Sequence, residues 1–221
     1  MMFTAPLCAQ SSISTFATQT DKYKDTVLIT YTFDHPEVEP THFDFVLNAS
    51  GKGTYHARYL ETSLQVGQPV TFQKSIQIAP ATIQRIIAKI VALDYLKGNY
   101  DYTKQRIAFT GKKTIKYKDN THQGSTTLNW SENKDVMELV DTFQGIQTTL
   151  ELGRRLEYLH RHQKLGLFDE MNHAEDTAKS GWLREIYLIS DILQKLYDDP
   201  KVIQTVRNGA KRLMDRAIKV P

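Results

Sequence analysis

With 221 residues, 40% of them apolar and 24% charged, the chain has the material for a sizeable core and too little charge to stay unfolded. Its 28 basic and 25 acidic residues leave a formal charge of +3, too small an excess to draw a nucleic acid or an anionic membrane by charge alone. The only cysteine, Cys8, excludes an intramolecular disulfide and a cysteine-built zinc site, and no run of about twenty apolar residues offers a membrane span.

Residues 1 to 10 read Met-Met-Phe-Thr-Ala-Pro-Leu-Cys-Ala-Gln, the pattern of the last part of a bacterial signal peptide, with cleavage expected after Ala9. Leu7 is bulkier than the residue a lipoprotein processing site places before its cysteine, which weighs against a lipid anchor on Cys8. The uncharged Ser-Ser-Ile-Ser-Thr stretch that follows suits the start of an exported chain. Residues 1–22 are therefore expected to be leader and polar lead-in of a periplasmic or secreted protein, with a cytoplasmic protein as the alternative.

From Val27 the chain takes the two-residue period of a half-buried strand, with Val27, Ile29, Tyr31 and Phe33 on one side and Leu28, Thr30 and Thr32 on the other. Pro36 and Pro40 mark a surface connection. Phe43, Phe45 and Leu47 alternate again, the stretch Asn48 to Gly53 breaks the pattern with two glycines, and Tyr55, Ala57 and Tyr59 resume it, which predicts a hairpin. Beyond Gly67 and Pro69, the residues Val70, Phe72, Ile76 and Ile78 make a fourth strand whose apolar row is interrupted by Lys74, the mark of an edge.

Ile83, Ile86, Ile87, Ile90, Val91 and Leu93 or Leu96 then fall on one helical face, so a helix is expected from Pro80 to Lys97, started by the proline and stopped by Gly98. Shorter strands follow at Ile107 to Phe109, Ile115 to Tyr117 and Leu128 to Trp130, with turns at Gly111 to Lys113 and Asp119 to Gly124. Hairpin, strand, helix and more hairpin in that order give an α+β fold: an antiparallel sheet with one helix packed on a face. No glycine-rich loop joins a strand to a helix, which removes the dinucleotide-binding and P-loop readings.

From Asn133 the period is helical. Val136, Leu139, Val140, Phe143, Ile146 and Leu150 predict a long helix reaching about His162, with Gly145 and Gly153 as weak points. Asp169 to Ser180 reads as a polar connection. Trp182, Leu183, Ile186, Ile189, Leu193 and Leu196 predict a second helix, and Asp199-Pro200 should open a third, with Val202, Ile203, Val206, Ala210, Leu213 and Met214 inward. The expected organisation is a sheet-plus-helix part over 23–131 and a C-terminal three-helix segment over 132–221, fused to the sheet if its first helix lies on it.

No family signature is legible in these residues, and each candidate chemistry has a plain competitor. His160, His162 and His173, with Asp169, Glu170, Glu175 and Asp176 nearby, are the densest set of potential metal ligands and would serve a metal-assisted hydrolase. Two histidines two residues apart diverge by about 200° on a helix, however, and a solvated helix end explains them as well. Lys97, Lys104, Arg106, Lys112, Lys113, Lys116 and Lys118, interleaved with Tyr100, Tyr102, Phe109 and Tyr117, could hold a polyanion or a nucleic-acid strand. The same composition suits an exposed edge protected by lysines, and Asp101 and Asp119 offset part of the charge. Tyr55 and Tyr59 could line a ligand face, as could Lys112, Lys113, Lys116 and Tyr117, although packing explains the two tyrosines more cheaply. Ser50 does not sit at a strand-to-helix elbow, so a serine hydrolase is not supported. The preferred expectation is an exported, non-catalytic binding or interaction module for a protein or small-molecule partner, with no cofactor, using the sheet surface or the groove between the sheet and the C-terminal helices.

Overall fold

The computed structural model describes residues 26–60 and 70–219, so the leader sequence with Cys8 and the Gly67–Pro69 turn lie outside the described residues. Six strands form one sheet, β1 (Leu28–Asp34), β2 (His42–Leu47), β3 (Lys52–Arg58), β4 (Thr71–Gln77), β5 (Lys112–Lys118) and β6 (Gln123–Leu128). Their spatial order is β4-β3-β2-β1-β5-β6, and every neighbouring pair is antiparallel. The period-two pattern fixes the register, because a slip of one residue would turn the aromatic row to solvent. Ile29, Tyr31, Phe33, Phe43, Phe45, Leu47, Tyr55 and Ala57 are all buried on one face. β4 is an edge strand as Lys74 suggests, and the Lys74 ammonium leaves the apolar row to donate to the Leu188 carbonyl at 2.8 Å.

Two helices cover the inner face, the expected one and the first helix of the C-terminal part, which fuses that part to the sheet. Helix α1 (Pro80–Ala92) buries Ile83, Ile86 and Ile90, while Val91 is 46% exposed. Helix α2 (Lys134–His162) lies over the centre of the sheet: Phe143 stacks on Tyr31 with ring centroids 4.7 Å apart and meets Phe45 at a tilt with centroids 5.5 Å apart. Asn133 caps α2, its side-chain oxygen accepting from the N–H groups of Asp135 and Val136. Lys89 of α1 pairs with Asp135 and Glu138 of α2, which ties the two helices side by side.

Helix α1 ends well before Lys97. Asp94, Tyr95 and Leu96 take φ values of 45°, 55° and 65°, so the chain reverses in a left-handed turn that buries Leu96 and lays Tyr95 flat on His122 at 3.7 Å. Gly124 makes room for that turn, since a Cβ there would lie 1.8 Å from the Tyr95 carbonyl oxygen. The strand expected at Ile107 to Phe109 is not formed. Residues 101–111 are irregular, and Phe109 is 56% exposed against the His35 ring.

The C-terminal part holds four α-helices among the described residues. Besides α2 they are α3 (Leu167–Lys179), α4 (Ser190–Asp198) and α5 (Gln204–Lys219). Helix α3 occupies the stretch whose polarity suggests a connection; three buried residues at helical spacing, Leu167, Met171 and Ala174, suffice to dock it. The second predicted helix is shorter at its start, because Glu185 adopts a left-handed conformation with φ 56° and residues 182–185 are not helical. Asp199 does not cap the last helix, which begins at Gln204 and leaves Ile203 56% exposed. Instead its carboxylate takes His160 and Lys164, pairings that hold it well below the usual carboxylate range. Helix α2 belongs to two cores: Val136 to Leu150 pack with the sheet, and Leu152 and Leu156 pack with α3, α4 and α5. No helix of the described residues is long and apolar enough to cross a membrane.

Candidate functional site

The sequence candidates do not gather. Tyr55 and Tyr59 point into the core and donate to one oxygen of Glu151, at 2.9 and 2.5 Å, while Arg154 donates to the other at 2.9 Å and lies over the Tyr59 ring. Burial first, and the neighbouring carboxylate second, push both phenols up. Lys113 also turns inward, its ammonium donating to the carbonyls of Thr110, Gly111 and Asn129, and burial pulls its pKa down to about 8. Lys112, Lys116 and Lys118 stay on the exposed outer face, whereas Tyr117 is buried and donates to Asp119. Lys97 and Lys104 are paired with Asp94 and Glu132, so the basic segment is not one continuous patch.

The C-terminal histidines scatter as well. His160 bonds Asp199, His162 is exposed beside Tyr158, and His173 is exposed on α3. Three of the four carboxylates that could join them are engaged elsewhere: Glu170 with Arg155, Glu175 with Arg212 and Asp176 with Lys179. None of the three histidines belongs to a group of three potential metal ligands among the described residues.

Two other places hold chemistry. The first is a cleft of about 340 Å³ between α1 and the segment that leads into α4, bordered by Ala217 of α5. Leu183, Ile186, Ala79 and Ala217 give it apolar walls, and Arg85 and Arg184 line its polar side. The fold builds this place from the left-handed Glu185. One carboxylate oxygen accepts from the Ala79 N–H at 2.9 Å and faces the Tyr187 hydroxyl at 2.6 Å, whose one hydrogen is shared with the Gln77 carbonyl, and the other accepts from Thr82 at 2.6 Å. Glu185 thus anchors the start of α1 through the Ala79 N–H and the Thr82 hydroxyl, where Ala79 itself offers no side-chain acceptor. Arg184 runs along α2 over Gly145, where a Cβ would come within 2.7 Å of the Arg184 Cγ. Among the described residues neither Arg85 nor Arg184 forms an ion pair: Arg85 donates to the Thr82 hydroxyl at 3.2 Å, Arg184 reaches the Thr142 hydroxyl at 3.5 Å, and Arg184 acts on Asp141 only through space. Burial pushes the Tyr187 phenol up, with the Glu185 carboxylate adding to the shift.

The second place is the outer face of the sheet. Asp34 lies opposite His42 in the β1–β2 ladder and Asp44 lies opposite His56 in the β2–β3 ladder, so four titratable side chains share one polar patch. Neither place is among the residues singled out from the sequence. The signal for the second is nevertheless present: an inward row of Phe43, Phe45, Tyr55 and Ala57 requires His42, Asp44 and His56 to face outward across the hairpin. The cleft leaves no comparable mark, since Arg85 and Arg184 are ninety-nine positions apart and meet only through packing.

No protein-family model matches the chain, and no curated protein is significantly similar to it.

Proposed function

We propose that the protein is a non-catalytic binding module that holds a small ligand carrying an acidic group in the cleft between α1 and the segment 181–187. The observation that carries this reading is a pair of guanidinium groups, Arg85 and Arg184, beside an apolar wall and without an ion-paired carboxylate among the described residues. A volume of about 340 Å³ falls within the range of small-molecule sites. Guanidinium groups pair with carboxylate or phosphate in a fork geometry, and among the described residues no acid forms an ion pair with either arginine, Asp141 acting on Arg184 only through space. At the partly positive end of α1 the Ala79 N–H is already taken by Glu185.

The same groups favour binding over turnover. An arginine keeps its proton at any neutral pH, both oxygens of Glu185 are engaged by donors, and Tyr187 holds its proton more tightly than a free phenol. A thermal-shift screen of di- and tricarboxylates and phosphorylated small molecules tests the reading. The expected result is a ligand that raises the melting temperature, is recovered chemically unchanged, and loses its effect in Arg184→Gln. If no such compound stabilises the protein, or one does so equally in Arg85→Gln and Arg184→Gln, the reading fails.

Export belongs to the same proposal and is supported by the sequence of residues 1–10 alone. Sequencing the N-terminus of protein from cell fractions should find it beginning after Ala9 outside the cytoplasm; an intact Met1 in the cytosol would contradict it.

A further inference from the structure

We propose that His42, Asp44 and His56 form a binding site for a divalent transition-metal ion of the zinc type on the outer face of the sheet, with Asp34 orienting His42. This site is separate from the cleft and stands or falls independently of it. The three potential ligand atoms all lie within 4.8 Å of one another. His42 Nε2 is 3.2 Å from Asp44 Oδ1, and His56 Nδ1 is 3.4 Å from the same oxygen. A tetrahedral ion with bonds of about 2.0–2.1 Å keeps its donor atoms about 3.3 Å apart, so both distances already suit one ion with little side-chain movement.

The strand geometry explains why the three meet. His42 and Asp44 are two apart on β2 and therefore share a face, and His56 is the cross-strand partner of Asp44 on β3. All are partly covered, with side chains 22%, 25% and 39% exposed for His42, Asp44 and His56. Three protein donors leave a fourth position open to water or to a ligand.

His42 supplies the second, independent reason. Its Nδ1 is 2.7 Å from Asp34 Oδ1 while its Nε2 faces Asp44, so the ring has a carboxylate at each nitrogen. A neutral imidazole can donate from only one of them. When Nδ1–H donates to Asp34, the Nε2 lone pair and the Asp44 oxygen point at each other, and a cation between them turns that repulsion into two bonds. A ligating histidine whose other nitrogen donates to a carboxylate is the usual support of a metal-bound imidazole. Arg58 lies next to His42 and Lys112 next to Asp34 in the ladders, so the patch is not a general acidic attractor for calcium or magnesium. Two imidazoles and one carboxylate select zinc, nickel, copper or cobalt by ligand type.

The test is calorimetric titration of Zn²⁺ into tag-free, chelator-treated full-length protein. The expected result is about one ion per chain, lost in His42→Ala and in His56→Ala and weakened 10- to 100-fold in Asp34→Asn, with circular dichroism unchanged because all three side chains face solvent. A second measurement needs no variant: Co²⁺ added to the wild-type protein should broaden NMR signals around residues 42–44 and 56 first. Absence of stoichiometric uptake, uptake unchanged in both histidine variants, or broadening centred on His160, His162 and His173 would overturn the site and leave a hydrogen-bonded surface cluster.

Discussion

Individual side chains in the core are not equally well served, and the tyrosines show it. Among the buried side-chain polar atoms of the described residues, the Tyr31 hydroxyl is the one without a hydrogen-bond partner, although its ring stacks on Phe143. Tyr55, two strands away, sends its hydroxyl to Glu151. The ring of each contributes packing, but only one of the two hydroxyls recovers what it loses on leaving water. Tyr31→Phe should therefore be neutral or stabilise the protein by about 1 kcal/mol, and Tyr55→Phe should destabilise it by about 1 kcal/mol or more, since Glu151 loses a donor in a buried position. Urea denaturation of the two variants side by side measures the difference; equal effects of the same sign would show that Tyr31 has a partner in solution. Lys113 follows the logic of Tyr55, because burying its ammonium is tolerable only with carbonyls around it.

At the scale of elements, the contact that most deserves a mutation is the one between Glu185 and the start of α1. It joins residues 106 positions apart and ties down the start of a helix that has no side-chain cap. Glu185→Ala keeps the left-handed backbone but removes the bonds accepted from Ala79 and Thr82 and the share of the Tyr187 hydroxyl, and a loss of about 1–2 kcal/mol is expected, read as a lower urea midpoint with an unchanged slope. A loss below about 0.3 kcal/mol would mean that water replaces the carboxylate without penalty. Period-two alternation made the first four strands legible, because each presents a row of apolar residues to a single covered face. The α2 stripe was legible for the same reason. What the sequence hid were changes of backbone hand. Tyr95 and Glu185 carry no glycine to announce a positive φ, so α1 stops early and the stretch before α4 unwinds, and both events depend on contacts made by Gly124 and Ala79 far along the chain. Helix α3 was hidden differently: its three buried residues are outnumbered by polar ones, and only the opposing surface of α5 shows that a narrow stripe is enough. The outward placement of His42, Asp44 and His56 could be deduced from the hairpin, whereas the meeting of Arg85 with Arg184 could not.

Across the whole molecule, α2 is the element both halves share. Its first four turns complete the core under the sheet and its later turns complete the core among the C-terminal helices, so neither half buries its apolar surface alone. The cleft has Arg85 on α1 and Arg184 on the segment packed against α2, and its shape depends on that sharing. A chain built this way should lose both cores in one step, since unfolding either exposes the flank of the helix that stabilises the other. The direct measurement is equilibrium urea unfolding of the full-length protein in the Trp182→Phe background, followed in one sample by fluorescence of Trp130, which adjoins β6, and by far-ultraviolet circular dichroism, which is dominated by the helices. Coincident midpoints and slopes are the expected result; helix signal that persists after the Trp130 fluorescence transition is complete, or vanishes before it begins, would contradict a shared α2.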